Sequence, residues 1–476
     1  MKGTVFSDNG VHQNASGCCG HALLASFLYS LLGYTVVVSV ASADQAGGYR
    51  VSDSGRYLMA PDGQPLFWLG DTAWTLCDVL NREDAAHYLD VRKKQGFTVI
   101  QLPAVMSRYV GRPNAYGDKA FVDDNLARPA VTPGNSPDNP AQYDYWDHVE
   151  YVIDAAAERG LTVGLLPFFV AFGPGWDYLS LQNAYGYGRF IGGRFGDKPN
   201  IIWILGGDDR AETETKRAVW DAVAKAIAEV AVGSEDYSRL LMTYHSPGST
   251  SSSFWLHDKP WLDFNMIQTW SAFTTIHERV THDYRLTPVK PTGLGEGAYE
   301  NGPEYPTKPI SAHVIRKQAY WSYLSGGYHT YGNTSIWNFG IEAYYSKKPW
   351  KEALTDPGAV HVSIAANLLK SLPWWRLAPD QSVFTRTAGS GAGLNVAARS
   401  DDGKCIVIYL AEAGEVSIDM SKLTASPAQA TWFDPKTGVR TTAGTVSNTG
   451  EQSFAPPAGW EDAVLLLETG DKPLPK

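Results

Sequence analysis

Two acidic residues follow glycines at the ends of two strongly apolar runs. Asp208 comes directly after Gly206-Gly207, and Glu296 stands between Gly295 and Gly297. Because glycine lets a backbone bend, each carboxylate can leave the line of its own run and face a shared space. Like charges push the pKa values of two such carboxylates apart, so that one holds a proton and the other a charge. Cleavage of a glycosidic bond requires a pair of this kind.

The two runs are predicted to be β-strands four and seven of a (β/α)₈ barrel. Active sites of such barrels lie at the C-terminal ends of the strands, and strands four and seven lie on opposite sides of the mouth. We therefore expect Asp208 and Glu296 to flank a bound substrate. A carboxyl separation of about 5–5.5 Å would indicate a retaining enzyme and a wider gap an inverting one. The alternative is that Asp208 or Asp209 caps the following helix.

The barrel is predicted from short apolar runs that alternate with helical patterns from Gly70 onward, which is typical of parallel α/β folds. The predicted strands are Leu66–Gly70, Thr98–Leu102, Leu161–Pro167, Ile201–Leu205, Leu240–His245, Phe264–Thr269, Thr292–Glu296 and Tyr328–Tyr331. The clearest helices are predicted from the N-cap Asn81 to Gly96, and over Trp146–Arg159, Thr213–Val230 and His313–Leu324. A doubly wound open sheet is the alternative to a closed barrel.

The pattern of apolar residues changes near Pro373. Between Gln381 and Glu468 the apolar residues alternate with a period of two, as in Cys405–Tyr409 and Ala463–Leu467, and turn signals separate the runs. This pattern predicts a small antiparallel β-sandwich. We expect a catalytic domain over residues 44–372 and the sandwich over 373–476. The sandwich is expected to pack against the barrel, and a sugar-binding role for it stays open.

Polar and aromatic residues near other predicted strand ends are candidates for substrate contacts, since a sugar needs partners for its hydroxyls and a flat face for its ring. These candidates are Asp71, Trp74, Gln101, His245, Gln268, Tyr299, Glu300 and Trp337. Several have an alternative role. Asp71 could cap the turn before Thr72, Trp74 could only wall the pocket, and Gln101, His245 and Gln268 could be buried polar groups with satisfied partners. Tyr299 could orient Glu296 through its hydroxyl.

Composition excludes several classes of function. The 476 residues carry a formal net charge of -10, whereas nucleic-acid binding needs a basic face. The 11 His residues form no His-x-x-x-His or His-x-His set, so we expect no metal and no cofactor. A Gly-x-Ser-x-Gly motif for a serine nucleophile is also absent from the sequence.

A substrate with an acidic leaving group would need a basic side chain near the site. The arginines in the loops after predicted strands two, three and four are Arg108, Arg189, Arg194 and Arg210, and the sequence does not choose among them.

The first 43 residues predict a signal peptide. Residues 22–43 carry no charge and end in Ala41-Ser42-Ala43, the small-x-small pattern of a cleavage site. A retained membrane anchor is the alternative, because the apolar span is just long enough to cross a bilayer. We expect a secreted or periplasmic protein, with no stable membrane partner if the signal is cleaved. Cys77 and Cys405 alone would then remain, which is too few for a disulfide framework.

Several motifs, in order along the chain, resemble those of glycoside hydrolase family 140. They are Phe67–Trp74 (FWLGDTAW), Asn200–Arg210 (NIIWILGGDDR), Glu296–Glu300 (EGAYE) and Trp432–Gly438 (WFDPKTG), and the similarity extends from about Arg56 to Leu467. The resemblance implies a barrel followed by a sandwich described as collagen-binding. It also implies an apiosidase that removes apiose from galacturonic acid in the pectin rhamnogalacturonan II.

The family resemblance also assigns roles to the two carboxylates. The acid/base of the family matches Asp208 and its nucleophile matches Glu296. Many related barrel enzymes carry Asn-Glu where this sequence has Gly207-Asp208, and that Asn contacts the sugar 2-hydroxyl, so another side chain must do so here. The expected partner is a plant cell-wall oligosaccharide or polysaccharide. A glycosidase of different sugar specificity and a non-catalytic secreted carbohydrate- or matrix-binding protein are the rival hypotheses.

Overall fold

A computed structural model describes residues 48–470 except 172–174, 307, 309, 346–347 and 387. The predicted signal peptide lies outside these residues. In the part of the chain that the structure covers, we find no helix with the length and apolar character needed to cross a membrane.

Eight parallel strands form the barrel. They are β1 Leu69–Thr72, β2 Val99–Pro103, β3 Thr162–Leu166, β4 Ile201–Gly206, β5 Met242–His245, β6 Asn265–Gln268, β7 Thr292–Glu296 and β8 Tyr328–Tyr331. Their order in the sheet is β5-β4-β3-β2-β1-β8-β7-β6. Because β1 pairs with β8, the open doubly wound alternative is wrong and the predicted barrel is confirmed.

Strand β1 begins three residues later than predicted. The N–H of Leu66 donates to the carbonyl of Leu58 (2.8 Å), which belongs to a small hairpin formed by Arg50–Val51 and Leu58–Met59. Leu66, the first residue of the predicted strand, therefore pairs with this hairpin rather than with β2 or β8.

The ring of paired strands is incomplete between β5 and β6, which are joined by individual hydrogen bonds rather than by a continuous ladder. The Asp263 N–H donates to the Met242 carbonyl (2.9 Å), and the Thr243 hydroxyl donates to the Phe264 carbonyl (2.6 Å). A short strand, Thr250–Ser251, pairs antiparallel with the end of β6. It takes up part of the edge that β5 would otherwise use, so the barrel is nearly closed.

Helices surround the barrel strands. They are α1 Leu76–Val79, α2 Arg82–Lys94, α3 Tyr145–Glu158, α4 Gly175–Tyr178, α5 Ala184–Phe195, α6 Glu214–Ala231, α7 Ser253–Leu256, α8 Ile276–Tyr284, α9 Ala312–Leu324, α10 Thr334–Trp337, α11 Trp350–Ala353 and α12 Pro357–Lys370. The predicted N-cap Asn81 is confirmed, since its side chain accepts the Asp84 N–H. Helix α6 is capped in the same way by Thr213, whose hydroxyl accepts the Lys216 N–H. Such caps satisfy N–H groups that a helix start leaves without partners.

The C-terminal residues form the predicted β-sandwich. Its strands are β9 Leu377–Pro379, β10 Val396–Ser400, β11 Cys405–Leu410, β12 Val416–Asp419, β13 Ala428–Phe433, β14 Arg440–Val446, β15 Glu451–Phe454 and β16 Ala463–Thr469. Six strands form an antiparallel sheet in the order β9-β10-β11-β16-β13-β14, and β12 pairs with β15. The last barrel helix ends at Lys370 and the first sandwich strand begins at Leu377. The predicted boundary, between residues 372 and 373, lies within this interval.

The six-stranded sheet is buried on two faces because β11 and β16 are apolar at every position of their central parts. Ile406 and Ile408 belong to the core between the two sheets, whereas Val407 and Tyr409 belong to the core shared with the barrel. At this contact the rings of Tyr409 and Tyr320 stack at 4.4 Å. The sandwich therefore packs against the barrel through alternate residues of its central strands.

Candidate active site

Asp208 reaches the barrel mouth because two glycines turn the chain at the end of β4. Gly206 and Gly207 have φ of 98° and 142°, a region that L side chains rarely adopt. A Cβ on Gly207 would also lie 2.5 Å from the carbonyl oxygen of Val170. An asparagine in the place of Gly207, as in related enzymes, would not fit this backbone.

Asp208 is not a helix cap. Helix α6 is capped by Thr213, and the neighbouring Asp209 carboxylate accepts hydrogen bonds from the Arg210 N–H (2.6 Å) and from Lys216 (2.8 Å). Asp208 Oδ1 is buried and has no hydrogen-bond partner among the described residues. Neither acid therefore caps the helix: Asp209 binds Lys216 instead, and the carboxylate of Asp208 remains available for chemistry.

Glu296 ends β7 between two glycines that serve close packing rather than a turn. A Cβ on Gly295 would clash with the side chain of Met266, and one on Gly297 would clash with the amide of Gln318. Neither glycine has a positive φ. The backbone is therefore held tightly against its neighbours while the carboxylate of Glu296 points into the mouth.

Asp208 and Glu296 line the same pocket, which has a volume of about 460 Å³. One oxygen of each carboxylate and a ring nitrogen of His245 all lie within 4.8 Å of one another. The pocket is of the size that small-molecule sites have. The full lining consists of Trp74, Met106, Arg108, Phe169, Ala171, Asp208, Gly248, Gln268, Trp270, Glu296, Tyr299, Glu304, Tyr305, Trp337 and Tyr345.

The environment of Asp208 favours its protonated form. Burial, followed by the charge of Glu296, raises the pKa of Asp208 to about 7, although His245, Gln268 and Arg108 oppose the shift. A carboxyl group with this pKa holds a proton at neutral to mildly acidic pH and can release it during a reaction. Two close carboxylates in one pocket thus acquire the division between acid and base that glycosidic cleavage needs.

His245 holds the second carboxylate. Its Nε2 lies 3.1 Å from Glu296 Oε2, and its ring is fully buried between Trp74 and Phe169. Burial opposes protonation of His245, but the hydrogen bond with Glu296 and the charges of Glu296 and Asp208 outweigh it and raise the pKa of the ring. His245 therefore acts through Glu296. Because it is buried and does not line the pocket, its predicted contact with substrate is wrong.

Four of the predicted substrate-contact residues line the pocket: Trp74, Gln268, Tyr299 and Trp337. The Trp74 Nε1–H donates to the hydroxyl of Tyr299 at 2.6 Å. Within the described residues the side-chain partner of Glu296 is His245, so the expected orienting bond from Tyr299 is wrong. Gln268 is buried, and its Oε1 has no partner in the described part of the chain.

Gln101 and Glu300 were also predicted to contact substrate, and for both the prediction is wrong. The Gln101 amide, inside the barrel, donates to the Gly295 carbonyl (2.9 Å) and the Thr330 hydroxyl (2.8 Å). Glu300 is buried away from the pocket, where it accepts from the Tyr331 hydroxyl and the Gly358 N–H. Both side chains stabilise the barrel around the site.

Asp71 is a further predicted substrate contact that the structure contradicts. Its Oδ2 forms an ion pair with Arg92 Nε at 2.5 Å, both side chains are 0% exposed, and the Tyr88 hydroxyl donates to the same oxygen. Because β1 extends to Thr72, Asp71 lies within the strand and faces helix α2 instead of the mouth. It neither binds substrate nor caps a turn.

Removal of the Asp71 carboxylate is expected to destabilise the fold strongly. Asp71→Ala leaves the Arg92 cation buried without a counter-charge, which costs about 3–5 kcal/mol. Asp90→Ala, on the same helix as Arg92, removes an exposed partner of Arg159 (2.7 Å) and should cost about 1 kcal/mol or less. Urea denaturation followed by tryptophan fluorescence compares the two variants. Equal small losses would mean that the buried pair contributes nothing.

Among the four candidate arginines, Arg108 is the one that lines the pocket. Its guanidinium pairs with Glu342 at 3.2 Å and remains partly exposed. Arg194 is instead bound by Asp147 and Glu150, and Arg189 lies over the ring of Tyr185 on helix α5. Arg210 is exposed and does not line the pocket.

Several pocket residues were missed by the sequence analysis: Met106, Phe169, Ala171, Gly248, Trp270, Glu304, Tyr305 and Tyr345. Most follow a strand by several residues and lie on loops. Aromatic residues just after strand ends would have been a usable signal for Phe169 and Trp270. No sequence pattern indicates which distant loop residues, such as Tyr305 and Tyr345, fold back over the mouth.

Asp208, His245 and Glu296 also offer three atoms at a spacing that could hold a cation. Within this set His245 Nε2 already forms a hydrogen bond with Glu296 Oε2 at 3.1 Å. The hydrogen-bonded pair therefore accounts for the spacing of these atoms without a metal ion.

Comparisons with known proteins agree with this chemistry. A family model described as "Apiosidase-like, catalytic domain" matches residues 52–376, and one described as "Putative collagen-binding domain of a collagenase" matches residues 378–468. A solved structure named as a glycoside hydrolase is 31% identical, with a TM-score of 0.78, covering 90% of this chain and 98% of that chain. Among curated proteins, none matches.

A second solved structure, a glycoside hydrolase family 5 protein from Bacteroides vulgatus ATCC 8482, is 30% identical. Its TM-score is 0.80, and the match covers 90% of this chain and 94% of that chain. The fold, the paired carboxylates and these relatives define the protein as a glycosidase. The chain belongs to the apiosidase-like family, whose model covers its barrel.

Proposed function

We propose that this protein is a retaining apiosidase of glycoside hydrolase family 140 that acts on pectic side chains of the rhamnogalacturonan II type. The observation that carries the retaining mechanism is the approach of one Asp208 oxygen to one Glu296 oxygen within 4.8 Å. Retaining enzymes have carboxyl groups about 5–5.5 Å apart, whereas inverting enzymes leave about 6.5–9.5 Å for a water molecule.

The reaction proceeds in two displacements. Glu296, held by His245, attacks the anomeric carbon while Asp208 donates its proton to the leaving oxygen, which forms a glycosyl-enzyme. Asp208, now ionised, takes a proton from water as the water attacks the same carbon and releases Glu296. The acid and the base are thus one residue in two protonation states, which suits a pKa of about 7.

Two observations support the proposed substrate. The family model that matches the barrel is named for apiosidase-like domains, and Arg108 offers a positive charge in the pocket that holds Asp208. The leaving group must lie beside the acid, so an acidic leaving group such as galacturonic acid would place its carboxylate within reach of Arg108. A pectic substrate is consistent with the predicted export of the protein.

Incubation with a panel of plant-wall oligosaccharides, with identification of the released monosaccharide, tests the proposal. Free apiose is the expected product. Release of arabinose or galactose alone would overturn the apiose assignment while leaving the glycosidase assignment intact.

Arg108 is expected to recognise the charge of the leaving group. Arg108→Ala should lower kcat/KM for apiosyl-galacturonic acid by about 3- to 10-fold, a modest effect because the guanidinium is partly exposed and shared with Glu342. On the methyl ester of the same substrate the change should be smaller than twofold. Arg108→Lys, which keeps the charge, is the control. A variant that still prefers the free acid as strongly as the wild type would exclude this role.

A further inference from the structure

Trp270 occupies a position whose backbone geometry disfavours a bulky side chain. It lies two residues beyond β6 with φ of 47°, at the second position of a turn that the Ala272 N–H closes on the Thr269 carbonyl at 3.0 Å. Turns with a positive φ at this position are dominated by Gly, Asn and Asp, and a bulky residue in this region is an outlier. The sequence nevertheless places a tryptophan here.

Neighbouring residues are arranged to keep the Trp270 side chain in place. A Cβ on Gly248 would lie 2.9 Å from the Cβ of Trp270, so the glycine leaves the space that the tryptophan uses. The indole packs against the ring of Tyr305, with centroids 5.7 Å apart. Strained residues of this kind persist where the surrounding structure determines them fully, and they cluster at ligand sites.

Trp270 differs from the other aromatic residues of the pocket in its exposure. Trp74, Phe169 and Trp337 are buried and wall the depth of the pocket, whereas Trp270 is 39% exposed. A large apolar side chain kept exposed at a pocket mouth, in a costly backbone conformation, contributes little to the core. Its exposed area is therefore available to a ligand that enters the pocket.

We propose that Trp270 is the binding platform for the sugar ring on the leaving-group side of the scissile bond. When the anomeric carbon faces Glu296 in the depth of the pocket, the leaving group must extend toward the mouth. The flat apolar face of the indole can stack on the C–H face of that second ring, while the polar edge of the indole stays in contact with water. The inference rests on the pocket being the glycosidic site of the proposed function, and it adds a subsite next to that site.

Two substrates with the same glycosyl unit test the platform: methyl apioside, whose methyl group is too small to reach the mouth, and apiosyl-galacturonic acid. Trp270→Ala should lower kcat/KM for the disaccharide about tenfold, mainly through KM, and for the methyl glycoside by less than twofold. Trp270→Phe, which keeps a flat ring, should restore the disaccharide value to within about threefold. Gly248→Ala, which displaces the indole, should resemble Trp270→Ala.

The control is Trp375→Ala, because Trp375 is similarly exposed (41%) and lies outside the catalytic pocket. It should leave both substrates unaffected. Equal losses of Trp270→Ala on the two substrates, or a loss below twofold on the disaccharide, would overturn the platform. If the wild type cleaves no apioside, the apiose assignment fails instead. The same comparison is then made with the methyl glycoside and the disaccharide of whichever sugar the wall-oligosaccharide panel releases.

Discussion

Glu296→Gln is expected to abolish glycosidase activity, with a fall in kcat of more than about 10⁴-fold. The amide has nearly the shape of the carboxylate, so the variant should fold, and the amide oxygen can still meet His245. It lacks the charge needed to attack the anomeric carbon and to stabilise the positive charge that develops there. Release of reducing sugar from the cleaved substrate, measured on the purified variant, checks this expectation.

Glu300→Gln is the matched control for Glu296. Glu300 is a buried carboxylate only four residues further along the chain, but it binds Tyr331 and Gly358 outside the pocket. Its variant should lose stability rather than activity per folded molecule. If Glu296→Gln cleaved substrate as fast as the wild type, the pocket would not be catalytic, and the rival hypothesis of a carbohydrate- or matrix-binding protein would be favoured.

A covalent intermediate on Glu296 would separate retention from inversion. An activated 2-fluoro glycoside of the released sugar slows the second displacement and should leave one glycosyl group on the peptide that contains Glu296. Mass spectrometry of the digested protein detects this adduct. An inverting enzyme would form none, because water attacks directly.

Asp208→Ala is expected to lower kcat on the natural glycoside by about 10²–10⁴-fold, the usual contribution of a general acid. The loss should depend on the leaving group. A nitrophenyl glycoside, whose phenolate needs no proton, should form the glycosyl-enzyme at nearly the normal rate and then hydrolyse slowly. Added azide, which needs no base, should attack this intermediate and restore turnover.

The pH profile gives a second measurement of the same residue. Burial and the charge of Glu296 raise the pKa of Asp208 to about 7, so the acid form is present below pH 7 and is lost as the pH rises through that value. Wild-type kcat/KM should therefore decline above about pH 7, and the decline should vanish in Asp208→Ala. Asp209→Asn, whose carboxylate binds Lys216, should keep the wild-type profile. A variant of Asp208 with an unchanged alkaline limb would assign the acid elsewhere.

The barrel and the two carboxylates at its mouth could be predicted because they depend on local patterns. Strands buried on both faces appear as continuous apolar runs, and a carboxylate after glycines at the end of such a run is easily recognised. The seam between β5 and β6 could not be predicted, since it results from the insertion of Thr250–Ser251 along an edge. No residue in that short segment marks it as a strand by itself.

The candidates that proved wrong show why strand ends matter. Alternate residues of a strand face opposite sides, so an error in the end of a strand transfers a side chain from one layer to another. Ending β1 at Gly70 placed Asp71 in the mouth, whereas the real end at Thr72 places it against helix α2. The sequence identifies Asp71, Gln101 and Glu300 as polar residues near strand ends, but the direction in which each side chain points depends on neighbours that are distant in sequence.

The double burial of the six-stranded sheet limits what the C-terminal module can do. In β11 and β16 one set of side chains fills the sandwich and the alternate set is covered by the barrel, so the middle of the sheet presents no free surface to collagen or to a polysaccharide. Recognition by this module would have to use the rim, such as β14, whose side chains are largely exposed. The module is also unsuited to expression without the barrel, because separating them would expose an apolar surface on each part.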